Sequence, residues 1–285
     1  MKRSDFRFLD RLRVRWAEVD MQKIVFNGHY LMYFDTAVAG YWRAMALPYE
    51  QTMVDLQGDL YVRKATLEYE GSARYDEQLD VGIRCARLGT SSFVLEGAVL
   101  RGEQRLVTTE LVYVFADPVA QTSRPLPQPL REVIEAYEGG HAMTEVRTGT
   151  WDELGAQARP IRTAVFVDEQ RIPAQLEQDE ADALGVHALA VNRLGRAVGT
   201  GRLLPAVDGV AKVGRMAALP TVRGTGIGAA ILKALARVAR ERGDRSMLLH
   251  AQSSAIGFYA GQGFSRQGEP FVEAGIGHQA MTRAP

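Results

Sequence analysis

The segment Arg223-Gly224-Thr225-Gly226-Ile227-Gly228 has the residue types of an anion cradle. A strand-like stretch (residues 212–219) precedes it and a helix-patterned one (228–242) follows. The first turn of a helix carries backbone N–H groups without intrahelical acceptors, backed by the positive end of the helix dipole. Glycines let that backbone come close to a ligand that side chains would hold off. The chemistry this predicts is the binding of a phosphate, specifically a pyrophosphate. The spacing is not that of the G-x-G-x-x-G dinucleotide fingerprint, and it lacks the Lys-Ser/Thr ending of a P-loop. The competing reading is an ordinary glycine turn ahead of a core helix.

Such a loop needs a scaffold to aim it. In the second half of the chain, 161–167 is a helix candidate leading to Ile172-Pro173, and 187–192 with 197–204 form a hairpin about Arg193-Leu194-Gly195. Ile227, Ile231, Leu235 and Val238 mark the helix after the loop at steps of three and four. A strand at 246–251 and a short helix at 255–262, ended by Gly263, come next, and the chain returns to strand from Phe264. This order predicts a mixed α/β domain with one central sheet.

The first half reads differently. Residues 30–47 form one long helix, with Leu31, Phe34, Val38, Tyr41 and Met45 on its apolar stripe. Tyr30, Met32, Tyr33, Ala37, Ala39 and Trp42 fill much of the remaining circumference, so most of its surface calls for burial. Residues 13–16 read as strand. Leu79, Val81, Ile83 and Cys85 alternate, as do Val107, Thr109, Leu111, Tyr113 and Phe115, and short turns at 89–91 and 101–103 join the strands as antiparallel hairpins. One long helix buried by a curved antiparallel sheet is the simplest architecture. The proline-rich stretch Pro125-Leu126-Pro127-Gln128-Pro129, a short helix (130–138) and Gly139-Gly140 set a boundary near 139–145. The expected domains are 1–140 and 141–285, in an α+β protein.

The 285 residues suffice for two cores, and Lys+Arg and Asp+Glu balance at 34 each, so no global field favours nucleic acid or an anionic membrane. The single cysteine, Cys85, allows no intrachain disulfide and fits a reducing compartment. The start, Met1-Lys2-Arg3-Ser4-Asp5-Phe6, has no apolar region behind it, and no apolar run reaches membrane-spanning length. A cytoplasmic location is expected.

The loop resembles the R-G-x-G-x-G/A signature with which GNAT acetyltransferases hold the pyrophosphate of acetyl-CoA. Phe258-Tyr259-Ala260-Gly261-Gln262-Gly263-Phe264 resembles their F-Y-x-x-x-G-F segment. The ElaA-type branch is the nearest likeness, on residues 165–173, Glu177-Gln178-Asp179-Glu180-Ala181-Asp182, Gly199-Thr200-Gly201-Arg202-Leu203, His250-Ala251-Gln252 and Glu273-Ala274-Gly275-Ile276-Gly277-His278. The resemblance implies that Met216, Ala217 and Ala218 lie on a splayed strand facing pantetheine, with one N–H polarising the thioester carbonyl. It implies that Arg223, Gly224, Thr225, Gly226, Ile227 and Gly228 hold the diphosphate, and that Tyr259 protonates the departing thiolate after direct attack by an amine. Glu169, Glu177, His187 and His278 are candidates for the base, and each has a structural reading as well. The acidic run 177–182 reads most simply as a solvated loop. No metal spacing is visible, so none is expected.

In the first half, Ala17-Glu18-Val19-Asp20 and Asn27-Gly28-His29-Tyr30 resemble the D-x-x-G-x-V-x-x-x-x-Y signature of hotdog acyl-CoA thioesterases of the 4-hydroxybenzoyl-CoA and YbgC/FadM type, supported by residues 73–79 and 88–93. The resemblance implies a hotdog fold, Asp20 as nucleophile or general base, and the Asn27 and Gly28 amides as receivers of the thioester oxygen. Sites of that family form across a dimer, so a homodimer or dimer of dimers is implied. Lys23 departs from the family's glycine, which could pair with Asp20, lower its basicity or crowd the pocket. Asp20 capping a turn is the alternative, and Asp35 is expected to bond locally.

Overall fold

The computed structural model describes residues 1–273 and 275–285; Ala274, inside the 273–278 stretch quoted above, lies outside the described residues. Internal contacts divide the chain into two units, Met1–Met143 and Thr144–Pro285.

In the first unit, β1 (Phe8–Arg13) is followed by α1 (Asn27–Ala44), α2 (Tyr49–Asp55), β2 (Asp59–Tyr69), β3 (Gln78–Leu88), β4 (Ser92–Arg101), β5 (Gln104–Asp117), β6 (Thr122–Ser123) and α3 (Gln128–Glu138). The antiparallel sheet runs β1-β3-β4-β5-β2, with β6 added to β5. Along β5 the period-two pattern holds, burying Thr109, Leu111, Tyr113 and Phe115. β3 does not alternate: residues 79–83 are all buried, and Phe6 lies where a Cβ on Gly82 would sit. The strand read at 13–16 is absent. β1 ends at Arg13, and Trp16–Glu18 is a single tight helical turn. α1 buries Tyr30, Tyr33, Phe34, Ala37, Val38, Tyr41 and Trp42, an i, i+3, i+4 stripe against the sheet. Leu31, Met32 and Ala39 are exposed instead of buried, because the sheet covers only one side of the helix. One long helix on a curved antiparallel sheet is the hotdog arrangement.

The second unit contains β7 (Thr144–Gly149), α4 (Trp151–Arg162), α5 (Ala174–Glu177), β8 (Val186–Asn192), β9 (Ala197–Leu203), β10 (Val210–Ala218), α6 (Ile227–Arg242), β11 (Ser246–Gln252), α7 (Ile256–Gly261), β12 (Ser265–Arg266), β13 (Phe271–Glu273) and β14 (Ile276–Arg283). Its sheet runs β12-β14-β11-β10-β9-β8-β7, with β13 on β14, and among the described residues only the β10/β11 pair is parallel. α4 begins ten residues before the helix read at 161: Thr150 and Glu153 form a reciprocal capping box at its start. The following turns, Thr163–Glu169, widen to π-helix. α6 buries Ile227, Ile231, Leu232 and Leu235 on the sheet. Gly199 and Gly201 on β9 permit this closeness, since a Cβ there would lie 2.7 Å from Ile227 and 2.8 Å from Ile231 respectively. α6 is thereby fixed with its N-terminus just beyond the end of β10. Among the described residues no helix is long and apolar enough to cross a membrane.

Candidate functional site

The glycine loop of the second unit is open. Gly224 and Gly226 are exposed at φ +83° and +88°, the left-handed region where side chains are strained. Among the described residues, no acceptor takes the amides of Gly224, Thr225, Gly226, Ile227 or Gly228, while Ala230 N–H already bonds Gly226 O. The Thr225 hydroxyl donates to Val222 O at 2.7 Å and steadies the turn. The result is a run of outward donors at the start of a sixteen-residue helix, which suits a diphosphate. The Arg223 side chain is engaged elsewhere. It donates to Ala218 O and, by both terminal nitrogens, to Glu169, whose carboxyl that pairing holds below its usual range.

β10 and β11 part in the middle of the sheet. Their pairing runs from Val210 with Ser246 to Val213 with Leu249 and then stops. β10 continues alongside β9 through Ala217 and Ala218, but its register shifts between Gly214 and Ala217, with Arg215 at φ +51°. Arg215 and Met216 are therefore unpaired on this bulge, at the mouth of the gap. A cavity of about 660 Å³ opens there, walled by Phe166, Gly214, Met216, Gln252, Tyr259 and Ile276 among others. Tyr259 packs edge-on against Phe258 and Phe264, and burial pushes its phenol up to about 12, so it stays a proton donor at neutral pH.

The four base candidates separate clearly. Glu169 is paired with Arg223 as described. Glu177 is buried and bonded to Arg162, itself only 1% exposed. His187 is buried against Trp151, its Nε2 2.9 Å from Asp182 O, and burial holds its imidazole below the usual pKa. It does not line the cavity. His278 does, with Nδ1 donating to Ile276 O at 2.8 Å. Sequence reasoning assigned no role to His250 and Glu273, which face the same cavity and meet at 3.1 Å.

The acidic run is not a solvated loop. Glu177 and Asp182 are buried, and Arg162, Arg202 and Arg215 bind them together with Asp179 in one network. Burial works to raise the Asp182 carboxyl, but Arg162 and Arg202 outweigh it and leave it below its usual value. Carboxylates so compensated offer little free negative charge to a cationic substrate.

In the first unit, the Asp20 carboxylate is half-buried and accepts from Gln22 N–H at 2.8 Å, a local turn bond. Lys23 sits at φ +61°, which is the physical reason a glycine suits that position. Its side chain is exposed and makes no ion pair with Asp20 among the described residues. Asn27 and Gly28 open α1, and their amides have no acceptor among the described residues. Asp35 is exposed on α1 without the local bond expected of it, again among the described residues. Glu18, to which the sequence assigns no role, is buried and accepts from Arg15 and from Tyr33 Oη at 2.7 Å, bracing this turn against the helix. Nearby, exposed Trp16 packs edge-on against Tyr75, and the Tyr69 hydroxyl donates to Asn27 O at 3.2 Å.

The family model described as an acetyltransferase (GNAT) domain matches residues 150–284, and that of the thioesterase superfamily matches residues 22–108, starting just past Asp20. A Bacillus subtilis (strain 168) protein provisionally named an acetyltransferase is 39% identical over 126 residues, covering 43% of this chain and 84% of its own length. YjcF of the same organism, named as an uncharacterized N-acetyltransferase, is 36% identical over 124 residues, covering 43% and 87%. Slr0204 of Synechocystis, a 1,4-dihydroxy-2-naphthoyl-CoA thioesterase of solved structure, aligns at 18% identity and TM-score 0.41 over 45% of this chain and 94% of its own. The chain belongs to the GNAT acetyltransferases through its second unit. Its first unit is a thioesterase-superfamily hotdog domain, so two families that use acyl-CoA are joined in one polypeptide.

Proposed function

We propose that the second unit transfers the acetyl group of acetyl-CoA to an amine, in the manner of the ElaA-type branch, and that the first unit hydrolyses acyl-CoA thioesters. The observation that carries the transferase reading is the unsatisfied donor run from Gly224 to Gly228, with Gly224 and Gly226 exposed. Diphosphate seated there would lead pantetheine along the gap between β10 and β11 to the bulge at Arg215 and Met216. The thioester carbonyl would meet an unpaired N–H of that bulge, which stabilises the charge growing on oxygen during attack. Met216, Ala217 and Ala218 would flank pantetheine, with the Ala218 carbonyl already held by Arg223. Tyr259 would give its proton to the departing thiolate.

For the first unit, the free Asn27 and Gly28 amides would receive the thioester oxygen and Asp20 would activate water or attack directly. A homodimer fits this reading. β2 is an eleven-residue strand at the sheet edge with most side chains exposed. A second reading is favoured by the bond from Gln22 to Asp20, which occupies one carboxylate oxygen: a silent hotdog domain that binds acyl-CoA or dimerises. Free-thiol release over a panel of acyl-CoAs, with and without amines, tests both activities. Asp20→Asn is expected to abolish amine-independent release about 10²- to 10⁴-fold and to leave amine-dependent release intact. Release from Asp20→Asn equal to that of the unmodified protein would remove Asp20 from the chemistry, and no amine-independent release from the unmodified protein would favour the silent domain.

A further inference from the structure

The β10/β11 pairing ends at Val213 and Leu249, so His250 is the first residue past the point where the strands part. Its side chain lines the cavity into which the bulged β10 faces. Behind it, on β13, Glu273 Oε2 lies 3.1 Å from His250 Nδ1. That bond fixes the tautomer: Nδ1 carries the hydrogen and Nε2 keeps its lone pair, for which no partner is found among the described residues. The Phe271 ring stands edge-on to His250 at 4.9 Å and stacks on His278 at 5.9 Å, which confines the imidazole to one orientation.

We propose that His250, oriented by Glu273, is the general base that takes the proton from the incoming ammonium group. The inference rests on the transferase reading above and names the group that reading leaves open. His250 Nε2 accepts one ammonium proton and passes it to solvent. The freed nitrogen lone pair attacks the thioester carbon, forming C–N, and collapse breaks C–S. The thiolate takes the Tyr259 proton, and the second proton shed by the nitrogen restores the phenol. His278 is less suited, since a backbone carbonyl and not a carboxylate backs its Nδ1 and gives weaker support to an imidazolium. The titratable and charged groups that share the cavity with His250 are Glu273, Lys212, His278, Tyr259, Arg215, Arg202, Glu177 and Asp179. Glu273 is ready for the role: burial works to raise its carboxyl, but the bond and charge of His250, with Lys212 and His278, hold it below its usual value.

The test uses the full chain with acetyl-CoA and benzylamine, phenethylamine, spermidine and lysine methyl ester, measuring CoA by chromatography between pH 6 and 9. His250→Ala and His250→Gln are expected to lower kcat/KM about 10²- to 10⁴-fold at neutral pH. Their rates should climb roughly tenfold per pH unit as hydroxide-side deprotonation of the amine takes over, where the unmodified protein has levelled off. Acetyl-CoA affinity by calorimetry should not change. Glu273→Gln should lower kcat less, with KM for the amine unchanged, because the imidazole loses the carboxylate that orients it. Unmodified rate and pH profile in either His250 variant overturns the assignment while leaving the transferase standing, as does loss of acetyl-CoA binding in His250→Gln, which marks a structural residue. An unmodified protein that acetylates none of the four amines overturns both.

Discussion

Gly226→Ala puts the diphosphate cradle to a quantitative test. Gly226 sits at φ +88° and ψ −1°, immediately before α6. An alanine there carries a backbone penalty of about 1–2 kcal/mol. Its Cβ would meet no protein atom within 4 Å, so the variant folds without a clash and the methyl projects into open space, which the diphosphate would occupy on the reading proposed above. Each amide-to-phosphate bond is charge-assisted and contributes about 1.5–3 kcal/mol. Losing one raises Kd for acetyl-CoA roughly 10- to 150-fold. The assay is calorimetric titration with acetyl-CoA, paired with steady-state turnover of S-acetylpantetheine, which has no diphosphate. The truncated donor should behave alike with both proteins, because nothing it touches has changed. An acetyl-CoA affinity within about twofold of the unmodified protein would refute the reasoning.

Other outcomes follow from the same geometry. Tyr259→Phe should lower kcat about 10²- to 10⁴-fold with little change in KM, and the unmodified enzyme should show no alkaline loss from this phenol below its pKa of about 12. Arg162→Ala removes the close partner of buried Glu177 and leaves Asp182 with Arg202 alone, and should destabilise the second unit by about 3–5 kcal/mol in denaturant titration. The Asp182 carboxyl is depressed in the folded state, so its contribution is complete above the unfolded value of about 3.9 and fades as pH falls through the folded pKa. Unfolding midpoints between pH 5 and 2 should therefore drop less steeply in Asp182→Asn, whose overall stability is lower.

What was legible in the sequence was what short-range pattern encodes. The stripe of Ile227, Ile231 and Leu235 and the glycines ahead of it announce α6 and its loop directly, since both signals lie within one segment. α1 was equally plain, yet its exposed Leu31 and Met32 were read as core, because periodicity cannot say how much of a helix a sheet will cover. The first ten residues of α4 were hidden by Gly155 and Pro160, although the Thr150–Glu153 capping box was there to be read. The acidic run was mistaken for a solvated loop because its partners Arg162, Arg202 and Arg215 come from distant parts of the chain. His250 and Glu273 stand 23 residues apart, and only the turn of β13 onto β14 and of β14 onto β11 brings them together. Pairings of that kind are products of topology.

The account depends most on coenzyme A lying across the start of α6. A crystal structure of the full chain with acetyl-CoA measures this directly. The expected result is diphosphate oxygens at about 2.7–3.2 Å from the amides between Gly224 and Gly228, with the thioester beside Met216. Acetyl-CoA seated elsewhere in the second unit, with those amides facing solvent, would contradict it.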